Sequence, residues 1–108
     1  MSETFDIIAI LKPKPGKADR VIELLAGVTE YVEANESGTL RYHLQRETKG
    51  DAPQLILLER YKNKAALGIH GGSPQFKAFS KRLKEEGLLA APLQVMFTKP
   101  VAGFASRL

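Results

Sequence analysis

The chain has 108 residues, 44% of them hydrophobic, no cysteine and a formal charge of +4, which suits one core and a single domain over residues 1–108. Without cysteine there is no disulfide framework, no thiolate metal site and no cysteine nucleophile, and the expected location is cytoplasmic. No apolar run approaches the roughly 18 residues of a membrane span, and the N-terminal MSETFDIIAILKPK lacks the basic and long apolar regions of a secretory leader.

The opening segment, Phe5 to Lys12, reads as a strand with Phe5, Ile7, Ala9 and Leu11 on one face and Ile8 and Ile10 making the other apolar too. Pro13-Lys-Pro-Gly16 stops it, since proline suits neither ladder nor helix interior. From Lys17 to Asn35 the apolar positions Ala18, Val21, Ile22, Leu25, Val28 and Val32 recur at steps of three and four, predicting an amphipathic helix. Asn35-Glu-Ser-Gly38 ends that helix, with Gly38 free to take positive φ. Thr39 to Glu47 is a strand with Leu40, Tyr42 and Leu44 inward against Arg41, His43 and Gln45, and one buried face places it at a sheet edge.

A hairpin loop over 48–53 leads into a third strand, Gln54 to Lys62, whose Leu55, Leu57, Glu59 and Tyr61 oppose Ile56, Leu58 and Arg60. Asn63 can cap a short helix through His70. Ser73 followed by Pro74 caps a longer one, with Phe76, Phe79, Ser80 and Leu83 inward and Gly87 as its stop. A last strand, Leu93 to Thr98, precedes Pro100 and a flexible tail over 99–108.

The order β-α-β-β-α-β implies an α+β, ferredoxin-like fold with a four-stranded antiparallel sheet and its helices on one face. The uncovered face carries Ile8, Ile10, Ile56, Leu58 and Met96, which predicts a homodimer with two sheets face to face. The basic excess belongs to helix faces such as Lys77, Lys81 and Lys84, with Glu85 and Glu86 beside them, so no nucleic-acid partner is expected. An RNA-recognition module would share the element order, but Gln54 to Glu59 lacks the basic and aromatic residues of its third strand. The ending Ser106-Arg107-Leu108 resembles the peroxisomal tripeptide, which could serve as an address in a eukaryotic chain and would mean nothing in a bacterial one.

Lys14-Pro-Gly16-Lys17, the passage Glu36-Ser-Gly38-Thr-Leu40-Arg-Tyr42, and Leu58-Glu59-Arg-Tyr61 followed by Ala65, Ala66, Leu67, His70, Ser73, Pro74, Gln75, Phe76 and Phe79 together carry a resemblance. On these residues, spanning about 5 to 98, the chain resembles the antibiotic biosynthesis monooxygenase-like family of dimeric α/β barrels. The resemblance leaves several roles open: oxygenation of quinol-like aromatics without metal or flavin, haem degradation, isomerisation of a small phosphorylated compound, or no assigned activity. The haem-degrading branch uses a tryptophan, and this chain has none.

Cofactor-free oxygenation suits the residues present. A deprotonated phenol or enol can itself reduce dioxygen, so the protein need supply only a base, hydrogen bonds and a dry cavity. No cofactor and no metal are expected, because two histidines on separate elements make a poor ligand set. The expected catalytic group comprises His70, since imidazole is a versatile acid-base group, Glu59, an acid on an apolar strand face, and Tyr42, a hydrogen-bond donor. Tyr61, Phe76, Phe79 and Arg46 are expected to bind substrate, as hydroxyl, walls and anion holder respectively. Each has a plainer alternative: His70 as a helix-end cation, Glu59 as a paired structural anchor, the tyrosines and phenylalanines as core. The expected function is a monooxygenase taking dioxygen and a small lipophilic or aromatic metabolite. A non-catalytic binding dimer and a small-metabolite isomerase are the alternatives.

Overall fold

The computed structural model describes residues 3–108. The elements run β1 (Phe5–Leu11), α1 (Ala18–Asn35), β2 (Thr39–Arg46), β3 (Leu55–Tyr61), α2 (Lys64–Gly71), α3 (Pro74–Glu85) and β4 (Gln94–Thr98). The strands form a four-stranded antiparallel sheet in the order β2-β3-β1-β4. This is the expected α+β, ferredoxin-like arrangement, with β2 at an edge. Among the described residues no helix is long and apolar enough to cross a membrane.

Alternation fixes what each strand presents. The cross-strand row Leu57, Ala9, Val95 and the row Tyr42, Glu59, Ile7, Phe97 lie on the helix side. Ala18, Val21, Leu25, Val28 and Val32 of α1 are buried, four of them packing in one core with Ala9, Leu11, Leu55, Leu57, Phe79 and Leu88. Each fully buried leucine, such as Leu25, contributes roughly 1.5–3 kcal/mol by leaving water. On the opposite side Ile8, Leu58 and Met96 share one row and Ile10 and Ile56 the next, all half-buried. An Asp6–Arg60 ion pair of 2.6 Å borders that apolar centre.

The helix ends follow the local rules. Asn63 Oδ1 accepts from the Ala66 N–H at 2.9 Å, and Ser73 Oγ accepts from the Phe76 N–H at 3.1 Å, with Pro74 opening α3. Gly87 ends α3 with φ of 58°.

Three expectations fail for identifiable reasons. Leu40 is 53% exposed because the β2–β3 register shifts between Thr39 and Arg41, leaving Leu40 as the extra residue of a bulge. Ser80 is exposed, since Phe76, Phe79 and Leu83 complete the inward stripe of α3 without it. Gly38 has no positive φ. It is small for a different reason: a Cβ there would lie 2.7 Å from the Ala66 Cβ.

Candidate active site

That close approach docks α2 on the turn between α1 and β2. The Gly38 carbonyl accepts the Lys62 N–H at 2.9 Å just before α2 begins. Ala66 then packs on the glycine, and His70, one helical turn further on, is carried inward to 3% exposure. There its Nδ1 lies 2.9 Å from Glu36 Oε1. Glu36 caps the C-terminus of α1 and is itself only 5% exposed. Thr39 Oγ1 donates a longer bond, 3.4 Å, to the same oxygen, while Glu36 Oε2 is buried without a partner among the described residues.

Aromatic rings hold the imidazole on three sides. Tyr42 meets it edge-on with centroids 5.0 Å apart, Phe76 lies at 4.9 Å and Tyr61 at 5.8 Å.

A cavity of about 200 Å3 opens beneath His70, between the helices and the sheet. Its walls include Ile7, Leu57, Leu67, Phe76 and Phe79, and Tyr42, His70 and Glu59 bring polar groups to it. Ala9 lines it too, and its single methyl leaves the space that a longer side chain in the middle of the sheet would fill. Leu93 and Val95, both exposed, form the rim on the β4 side. No lysine or arginine lines it.

Glu59 is 7% exposed, and its carboxylate accepts a hydrogen bond from the Tyr61 hydroxyl. Burial pushes the Glu59 carboxyl up to about 7, opposed in part by the Tyr61 bond. The Tyr42 and Tyr61 hydroxyls are pushed well above the usual phenol range, first by burial and then by the neighbouring Glu59. Both hydroxyls therefore stay neutral at physiological pH, and burial favours the protonated form of Glu59.

Of the seven residues singled out in the sequence, the structure brings five, His70, Glu59, Tyr42, Phe76 and Phe79, to one cavity. Tyr61 is fully buried behind it and reaches it through Glu59. Arg46 is elsewhere: it is exposed at the end of β2 and its Nη1 lies 3.0 Å from Asp19 Oδ1, so the expected anion holder is a surface ion pair. Glu36 was missed. In the sequence it is one polar residue among several at a helix end, and only the 34-residue separation from His70 closed by the fold shows its partner. Among the described residues no group of three or more histidines, cysteines, aspartates or glutamates is gathered to hold a metal ion.

The arrangement has known relatives. YcnE of Bacillus subtilis strain 168, named as a candidate monooxygenase, is 32% identical over 91 residues, covering 84% of this chain and 92% of its own length. Rv0793 of Mycobacterium tuberculosis, named likewise, is 30% identical over 101 residues, 94% of this chain and 95% of its own. The structure of Rv0793 superposes with a TM-score of 0.80, covering 94% of this chain and 99% of that one. A candidate antibiotic biosynthesis monooxygenase from Caulobacter crescentus CB15 superposes with a TM-score of 0.82 at 28% identity, covering 94% of this chain and 92% of that one. The sequence pattern that defines antibiotic biosynthesis monooxygenases matches residues 4–82. The chain belongs to the antibiotic biosynthesis monooxygenase family.

Proposed function

We propose that the protein is a cofactor-independent monooxygenase that oxidises a small, uncharged, enolisable or phenolic compound of one or two rings. The observation that carries this reading is a small apolar cavity to which one imidazole and one partly protonated carboxyl converge. Its volume lies below the roughly 300–1,000 Å3 of pockets for drug-sized ligands, which limits the substrate. Two carboxylates nearby and no cation in the lining disfavour anions.

His70 acts as the base, taking a proton from a ring CH2 or hydroxyl of the substrate. The carbanion or phenolate then gives electrons to dioxygen, a C–O bond forms, and the imidazolium returns its proton to the distal peroxide oxygen. At a carbon that bears a second hydrogen, His70 removes that hydrogen as a proton. The C–H electron pair becomes the carbonyl π bond, and the O–O bond breaks. Glu59 gives its proton to the departing hydroxide, and the imidazolium proton restores Glu59 through solvent. One CH2 and one O2 thus become one carbonyl and one water, with both oxygen atoms fully reduced by the substrate. Tyr42 donates a hydrogen bond to the developing oxyanion, and the apolar walls exclude water that would quench the carbanion.

The same reading includes a homodimer through the sheet face of Ile8, Ile10, Ile56, Leu58 and Met96. Its support is an apolar centre bordered by the Asp6–Arg60 pair, the anatomy of a protein interface.

The test is dioxygen consumption by metal-stripped protein against one- and two-ring quinols and cyclic ketones, with His70→Gln run in parallel. The expected result is stoichiometric uptake with one substrate class, reduced roughly 10²–10⁴-fold in the variant. Binding without uptake by the wild type across the whole panel would defeat the oxygenase reading in favour of a binding protein or an isomerase.

A further inference from the structure

Glu36 is a buried acid that the oxygenation scheme leaves without a task. Its side chain is 3% exposed, one oxygen faces His70 Nδ1 at 2.9 Å and the other has no partner among the described residues. Taking a carboxylate out of water costs several kcal/mol unless its lone pairs are satisfied, and an apolar residue could close the end of α1 without that cost. A costly group held against the imidazole points to a requirement of the imidazole.

A neutral histidine carries its hydrogen on one of two nitrogens, and a carboxylate can only accept. With Glu36 ionised, Nδ1 must carry the hydrogen, so Nε2 keeps a free lone pair. Among the described residues Nε2 makes no hydrogen bond within the protein, and the ring lines the cavity. The rings of Tyr42, Phe76 and Tyr61 pack around the imidazole, and the Glu36 contact at Nδ1 distinguishes its two nitrogens. The bond also orients the base from outside the cavity, as carboxylate partners do for metal-bound histidines. We infer that Glu36 is a positioning residue that holds His70 as the Nδ1–H tautomer and so presents Nε2 as the proton acceptor, an inference that rests on His70 being the base.

Two readouts test it. Long-range 1H–15N correlation of the His70 ring reports the tautomer without any substrate. The expected wild-type pattern is a protonated Nδ1 and an unprotonated Nε2. In Glu36→Gln the isosteric amide can turn its NH2 toward Nδ1, so the Nε2–H form should appear, and kcat should fall roughly 10–100-fold with KM nearly unchanged. An Nε2–H tautomer in the wild type overturns the inference, as does a Glu36→Gln protein with unchanged tautomer and unchanged kcat. If the tautomer responds as expected but no compound supports dioxygen uptake, Glu36 keeps its positioning role and the oxygenase reading is what fails.

Discussion

Replacing Glu59 with glutamine should change how stability depends on pH, whatever the substrate proves to be. The carboxyl titrates near 7 in the fold and near 4.5 in an unfolded chain. Between those values the folded protein binds the extra proton, so wild-type stability falls as pH rises through the interval, and the loss is complete above about 7. At about 1.4 kcal/mol for each pH unit the loss amounts to about 3 kcal/mol. The Asp6 and Glu86 carboxyls, held down by Arg60 and Arg20 respectively, lose their contribution only below their ordinary values and leave this window clear. Urea unfolding at pH 5 and pH 7.5 provides the measurement. The wild type should be less stable at the higher pH, whereas Glu59→Gln, which stays neutral, should lack that difference while keeping a hydrogen bond with Tyr61. Parallel pH profiles for the two proteins would show that Glu59 is ionised in the fold throughout, and its role as a proton donor would fall with them.

Two further outcomes are expected. Leu58→Glu places a charge at the centre of the open sheet face, so native mass measured by light scattering should drop from dimer to monomer; an unchanged dimer would place the interface elsewhere. Gly38→Ala should cost about 1–3 kcal/mol in thermal or urea unfolding, because the new methyl meets Ala66 at 2.7 Å. The double variant Gly38→Ala with Ala66→Gly should recover most of that loss apart from the helix penalty of glycine, about 1 kcal/mol, and a double variant no better than the single one would disprove the contact.

Much of the fold is legible in the sequence because its signals are local. Strand alternation places Leu55, Leu57, Glu59 and Tyr61 on one face, and Asn63, Ser73-Pro74 and Gly87 mark the helix ends, as the structure shows. What escapes is what depends on partners distant in the chain. Leu40 alternates correctly with Tyr42, yet a register shift against β3 turns it out. Gly38 sits where a helix-ending glycine belongs, but its smallness answers to Ala66 on another element. Arg46 looks like an anion holder until Asp19 at the start of α1 is brought beside it. His70 and Glu59 stand out because an acid and an imidazole are conspicuous among apolar neighbours, whereas Glu36 hides among the polar residues of a turn.

The single methyl of Ala9 gives the cavity an adjustable floor. It stands at the middle of the sheet between Leu57 and Val95, on a strand paired on both sides, so its backbone position is set by two neighbours and hardly responds to its side chain. In the proposed oxygenase, the girth of the substrate is therefore separable from the proton handling proposed for His70 on α2 and Glu59 on β3. Exchange of Ala9 for glycine would deepen that floor and exchange for valine would fill it, so under the proposed function a single codon retunes selectivity in either direction, giving directed evolution a route to new substrates that leaves His70 and Glu59 in place.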